Sequence, residues 1–229
     1  VSAESSQITV STADDESASF SENSVIQERG DIFETTVELT ETDEATISFG
    51  SQDSGVLANA TVEDDDGDDE VTVQINTYAF TSGTTGDIYS LPDDSDDVIN
   101  DEAAFQAGTS QLSNNLIDAG NYDLEVEANV PSGEADTGVT DSDDIATVTL
   151  EERSVENLRT WTGSSDEISS VNDLEDVNEA IADGQITQSS EVAVGDFAVS
   201  HLVASGFEGR LAARQTEDVS SEFDSFDDN

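Results

Sequence analysis

Cysteine, methionine and lysine are absent from all 229 residues, and histidine occurs once. Without cysteine there is no disulfide scaffold, thiolate zinc site, cysteine nucleophile or iron–sulfur centre. The five basic residues are all arginines. A phosphate backbone needs a basic stripe that five arginines cannot build, so nucleic-acid binding is excluded. Attraction to anionic lipid fails for the same reason. No apolar run approaches the ~20 residues that span a bilayer, so no membrane span is expected. The chain begins at Val1 rather than Met, which is read as the mark of a removed secretory signal.

What the chain holds instead is acid. Asp and Glu number 55, for a formal charge of -50 at pH 7. Leu, Ile, Val and Phe supply 53 residues, just above the ~20% below which highly charged chains stay disordered. In dilute buffer such like charge opposes compactness. In molar salt the Debye length falls to about 3 Å and the repulsion is screened. A carboxylate surface without lysine stems resembles the surfaces of extreme halophiles, so high salt is expected to be required for folding. The rival reading is an acidic disordered region, and the hydrophobic pattern argues against it.

Residues 1–150 hold one base, Arg29, and read as strands between turns. In Ile32 to Thr40, Phe33, Val37 and Leu39 alternate with Glu34, Thr36 and Glu38. Ile47 and Phe49 repeat the pattern, as do Val71, Val73 and Ile75. Tyr122, Leu124, Val126, Ala128 and Val130 alternate with Asp123, Glu125 and Glu127. Ala146, Val148 and Leu150 alternate with Thr147 and Thr149. Period-two alternation, apolar inward and acid or Thr outward, is what half-buried antiparallel strands require. Several such strands with turns between them predict an immunoglobulin-like antiparallel β-sandwich. Asp118-Ala119-Gly120-Asn121-Tyr122 looks like a tyrosine corner, in which the phenol bonds back to upstream backbone. Residues 100–117 carry a weak helical pattern around Ala103 to Phe105.

Residues 151–229 hold the other four arginines and form a smaller mixed β/α domain. Ser170 to Asp173 resembles a capping box, and Leu174, Val177 and Ile181 recur at helical spacing. With Gly184 as a C-cap, this predicts a helix from Val171 to Asp183. An apolar strand at Phe197 to Ala204 follows, then a turn at Gly206 to Gly209. Leu211 to Ala213 forms a further strand or a helical turn. The tail, Glu217 to Asn229, is acidic.

Taken in order, several runs resemble one family. They are Glu28-Arg29-Gly30-Asp31, Glu34 to Leu39, Ala45 to Gly50 and Val71 to Tyr78. Asp173-Leu174-Glu175, Ala180 to Thr187, Val194-Gly195-Asp196 and Ala204 to Gly209 complete the set. In this order they resemble the surface-layer glycoproteins of haloarchaea and their BGTF-type surface-domain relatives. The resemblance covers Val25 to Arg214 discontinuously. It implies a secreted, non-enzymatic, extracellular protein of the cell surface built from β-sandwich domains. The chain is far shorter than a full surface-layer glycoprotein.

Candidate chemistry is sparse. A Ser-His-Asp triad would have to use His201. That residue shares a strand face with Phe197, Val199 and Val203, which favours a packed or interface histidine over a general base. Paired carboxylates for glycoside chemistry cannot be recognised when acids are this abundant. Glu63 to Glu70 packs seven carboxylates around Gly67. There Asp64, Asp65, Asp66, Asp68 and Asp69 could hold Ca²⁺, or could form a solvated loop that binds monovalent cations diffusely. Asn59-Ala60-Thr61 is the single N-x-[ST] glycosylation acceptor. Arg210 and Arg214, four apart, either relieve charge within the chain or clamp a neighbour's carboxylates in an assembly. A potential strand at Gln7 to Val10 pairs within its own sandwich or extends into a neighbouring subunit. These readings converge on a structural envelope protein: a homo-oligomer or polymer forming a surface layer or an extracellular filament. The alternative is a secreted adhesin or carbohydrate-binding surface module.

Overall fold

A computed structural model describes residues 16–51, 53–81, 88–92, 95–106, 116–128, 139–164 and 174–214. The clearest translation of pattern into structure is the strand Ile32–Thr40 (β3). Phe33, Val37 and Leu39 are buried there, while Glu34, Glu38 and Thr40 are exposed. Pairing antiparallel strands by their hydrogen bonds leaves one side-chain face apolar, and two such faces close on one another to remove it from water.

The first sheet contains Ser17–Phe20 (β1), β3, Glu70–Asn76 (β6) and Tyr89–Ser90 (β7), in the order β1-β3-β6-β7. The second contains Ser24–Glu28 (β2), Glu44–Ser51 (β4), Val56–Glu63 (β5), Val98–Gln106 (β8), Gly120–Ala128 (β9) and Asp144–Glu151 (β10). Its order is β2-β10-β9-β4-β5-β8. All pairings are antiparallel except β2 with β10, which run parallel. Val37, Val71, Val73 and Ile75 of one sheet share a core with Ile47, Phe49, Leu124, Val126 and Val148 of the other. Phe49 sits at its centre, with ring centroids 5.1 Å from Phe80, 5.4 Å from Tyr122 and 6.3 Å from Phe33. The Tyr122 hydroxyl donates to the Asp118 carbonyl at 2.8 Å, the back-bond expected of a tyrosine corner. The fold is an all-β antiparallel sandwich.

The short helix expected around Ala103 to Phe105 is not formed. Those residues lie in β8, paired with β5 along eight positions with one irregularity at Thr61/Val62. A weak local preference yields there to a sheet edge that offers continuous backbone partners.

Contacts divide the chain into two units, residues 1–152 with 208–229, and residues 153–207. Among its described residues the second unit is a three-stranded sheet carrying one helix. Its strands are Val155–Gly163 (β11), Thr187–Gln188 (β12) and Phe197–Ala204 (β13), in the order β12-β11-β13. The helix Leu174–Ala182 (α1) packs Val177, Ala180 and Ile181 with Ile186, Trp161 and Val199. The residues expected in its first turn, 171–173, lie outside the described residues. Its end follows the glycine logic. Gly184 adopts φ +73°, its amide donates to Ile181, and the Gln185 amide donates to Ala180 at 2.9 Å. This is a Schellman closure, which only a left-handed residue permits.

Candidate functional site

Three of the sequence runs above, far apart in the chain, meet at one place. The turn after β2 puts Gly30 at φ +97°. The Gly30 amide donates to Thr77 Oγ1 (2.7 Å), and the Thr77 hydroxyl donates to the Asp31 carbonyl (2.8 Å). A seven-residue helix, Glu208–Arg214 (α2), docks on this turn. Asp31 Oδ1 accepts from the Glu208 amide at 3.0 Å, the Gly30 carbonyl accepts from the Gly209 amide, and the Asn76 side-chain amide donates to the Gly209 carbonyl. An aspartate that accepts from the first amide of a helix satisfies a donor with no partner inside it. The same turn also holds the chain before it departs. The Arg29 amide donates to the Glu151 carbonyl, and its guanidinium meets Glu152 at 2.6 Å. Residues Glu28–Asp31 thus anchor both the departure of the chain at Glu152 and its return at Glu208. Where the second unit begins and ends, Ser205 donates its amide to the Ser154 carbonyl, and Arg153 lies over the Phe207 ring.

Gly209 is required here by close approach rather than by torsion. A Cβ would run into Asn76 Oδ1 and lie 2.7 Å from the Gly30 carbonyl. Gly209→Ala is therefore expected to lift α2 from the turn. Hydrogen exchange at Glu208 and Gly209 should rise at least tenfold, with β3 and β6 protection kept. Unchanged exchange at those two amides would refute the account.

The acidic turn between β5 and β6 is built around Asp64, which is buried although residues 65–70 after it are exposed. Its Oδ1 accepts from the Gly67 amide at 2.7 Å and its Oδ2 from the Asp69 amide at 2.9 Å. Gly67 and Asp69 both have positive φ, 79° and 66°, so the carboxylate stabilises a tight left-handed turn. Oxygens of Asp64, Asp66 and Asp68 lie within 4.8 Å of one another, and Asp65 and Asp69 stand outside that group. Three carboxylates so placed can ligate a hard cation with water completing the shell. The hydrogen bonds themselves give Asp64 the role of closing the hairpin. Crowding drives up the Asp66 carboxyl, first by loss of water and then by repulsion from Asp68.

Asn59 has no exposed surface. It lies mid-strand in β5 opposite Ser48, and its Oδ1 accepts from the Ser48 hydroxyl at 2.8 Å. Thr61 of the same sequon is also buried, its hydroxyl 3.0 Å from that of Thr46. The sequon asparagine is thus enclosed in the strand pair, its amide oxygen held by Ser48. Two other residues read from the sequence, His201 as packed or interface and Trp161 as a core or interdomain anchor, are placed as follows. His201 is exposed on the edge strand β13, opposite Arg159, rather than packed. Trp161 is half-buried against α1 in the core of the second unit. Arg210 is half-buried on α2, and the Arg214 side chain lies outside the described residues. So do Gln7 to Val10 and the tail from Glu217.

The model of a family described as a domain of unknown function, DUF7827, matches residues 10–129. Along nearly its whole length the chain is similar to cell surface glycoproteins of haloarchaea. It is 36% identical over 223 residues to "Cell surface glycoprotein 1" of Haloarcula hispanica, covering 97% of this chain and 23% of that protein. "Cell surface glycoprotein 2" of the same organism is 35% identical over 97% of this chain and 24% of its own length. "Cell surface glycoprotein" of Haloferax gibbonsii is 36% identical over 96% and 24%. The chain therefore spans about a quarter of the length of the curated relatives it matches. No solved structure matches it. The resemblance read from the ordered sequence runs is borne out, and the chain belongs to the family of the domain of unknown function DUF7827.

Proposed function

We propose that this chain is a structural, non-enzymatic component of the haloarchaeal cell surface, and that it assembles with copies of itself into a surface layer or an extracellular filament. The observation that carries the reading is similarity over 97% of the chain to haloarchaeal cell surface glycoproteins. Supporting it, most of the acids among the sandwich's described residues are exposed, as a surface bathed in brine requires. Among the described residues no helix is long and apolar enough to cross a membrane.

The adhesin alternative calls for exposed aromatic rings in a groove. One cleft is lined by Leu158, Arg159, Thr160 and Gln188 to Ser190. Another is lined by Ser21, Glu22, Val25, Glu34 to Thr36 and Thr72. Neither of these two clefts has an aromatic wall. Electron microscopy of the purified chain at about 3 M NaCl, where surface charge is screened, tests the assembly reading. Ordered sheets or filaments are expected. Particles that stay monomeric at every concentration would refute the proposal.

A further inference from the structure

Among the described residues the three sheets present six edges, and five of them are short, guarded or charged. At β1 the outward amides of Ala18 and Phe20 are taken by the carboxylates of Asp143 and Asp144, at 3.1 and 3.0 Å. β7 and β12 are two residues each. β2 ends on Glu28, and β8 carries Asp101 and Glu102 in its sequence. Guarding of this kind is how sheet proteins keep open backbone from pairing with other chains.

The sixth edge is different. β13 is eight residues long, Phe197-Ala198-Val199-Ser200-His201-Leu202-Val203-Ala204, with no Asp, Glu, Lys, Arg or Pro. It pairs with β11 on one side, and among the described residues no strand or backbone hydrogen bond closes the other side. Exposed apolar side chains gather in the same unit. Val155 is 65% exposed, Leu158 67% and Leu202 40%, together with Val192, Val194 and Phe197.

Resting on the assembly reading above, we infer that the open edge of β13 receives β13 of a second copy of this chain, making one continuous six-stranded sheet. Charge selects the occupant. Two copies that each carry -50 repel wherever carboxylates face carboxylates. Along β13 against β13 none do. Across the sheet β11 carries two charged residues, Arg159 opposite His201 and Glu156 at the irregularity beside Val203 and Ala204, both one strand behind the seam. With His201 at the centre, the two copies' Arg159 stand three strand spacings apart, about 14 Å. That exceeds the screening length of molar salt, about 3 Å.

The pleat then restricts the register. Strands related by a two-fold axis normal to the sheet must place same-face residues opposite one another. The axis that keeps the longest overlap therefore falls on Ser200 or on His201. With His201 central, Val199 faces the partner's Val203, Ser200 its Leu202 and Ala198 its Ala204.

The absence of cysteine makes the test clean. Directly opposed Cα atoms in an antiparallel pair lie about 4.5–5.5 Å apart, inside disulfide range. Ser200→Cys and His201→Cys each introduce one exposed thiol in the full chain, and Leu158→Cys on β11 serves as the control. Under mild oxidation in molar NaCl, one of the first two should form a covalent dimer at least tenfold faster than the control. Ser200→Glu and His201→Glu, with unchanged circular dichroism, should weaken association at least tenfold by sedimentation. If neither central cysteine outpaces Leu158→Cys, the inference is overturned. Sheets or filaments without this cross-link would leave the assembly reading standing and sink the β13 seam. Cross-linked dimers that never extend would keep the seam and sink the assembly reading.

Discussion

Phe49→Ala should cost the sandwich about 3–5 kcal/mol, a large part of the roughly 5–15 kcal/mol margin of an ordinary domain. Phe49 has no exposed surface and is the ring against which Phe33, Phe80 and Tyr122 all pack. Those partners come from β3, the turn after β6, and β9, so truncation opens a cavity among elements that cannot all close in on it. The loss adds the transfer term of the missing ring to the dispersion contacts its neighbours forfeit. Urea melts at fixed molar NaCl would show the midpoint falling sharply at unchanged slope. A loss below about 1 kcal/mol would mean that the core does not depend on this ring.

Dilution from about 3 M to about 0.1 M NaCl should unfold the chain or leave it expanded, as the Debye length grows to about 10 Å. The strain has addresses within the sheets. Glu38 lies directly opposite Glu70, and Glu44 directly opposite Glu63, where like charges destabilise a strand pair. The Asn100 amide donates to both Glu44 and Glu63, softening the second pair. Acidification at low salt should recover part of the structure. Burial, then the charge of Asp123 on the same face, raise the Glu125 carboxyl above its ordinary 4.5. A carboxyl raised by folding binds its proton more tightly in the folded chain. Its contribution is complete below the unfolded value and is lost as pH rises through the folded one. Lowering pH toward 4.5 therefore strengthens the fold at this site. Circular dichroism and small-angle scattering across salt and pH check both effects. A compact, salt-insensitive chain at neutral pH would refute the account.

Much of the sandwich was readable because its strands are half-buried. Phe33, Val37 and Leu39 had to share a face, and the sheets turn that face inward. The helix end at Gly184 was readable for a similar reason, since a left-handed cap is a local demand. β8 was not readable, because its residues do not alternate and its strand state comes from pairing with β5. Asn59 shows the same limit at a single residue. Its sequon is a local pattern, but Ser48 on the neighbouring strand decides that the amide is enclosed.

The junction marks the boundary most plainly. Glu28-Arg29-Gly30-Asp31, Val71 to Tyr78 and Ala204 to Gly209 are each visible as separate runs in the sequence. Their meeting joins residues 177 positions apart, and no local preference reaches that far. By itself the sequence determined the acid-rich, cysteine-free composition and the strand pattern, since charge and alternation belong to each residue and its near neighbours. Only the tertiary structure decided that β13, free of carboxylates along all eight residues, lies at a sheet edge among the described strands, because an edge is defined by the strands that do not arrive beside it.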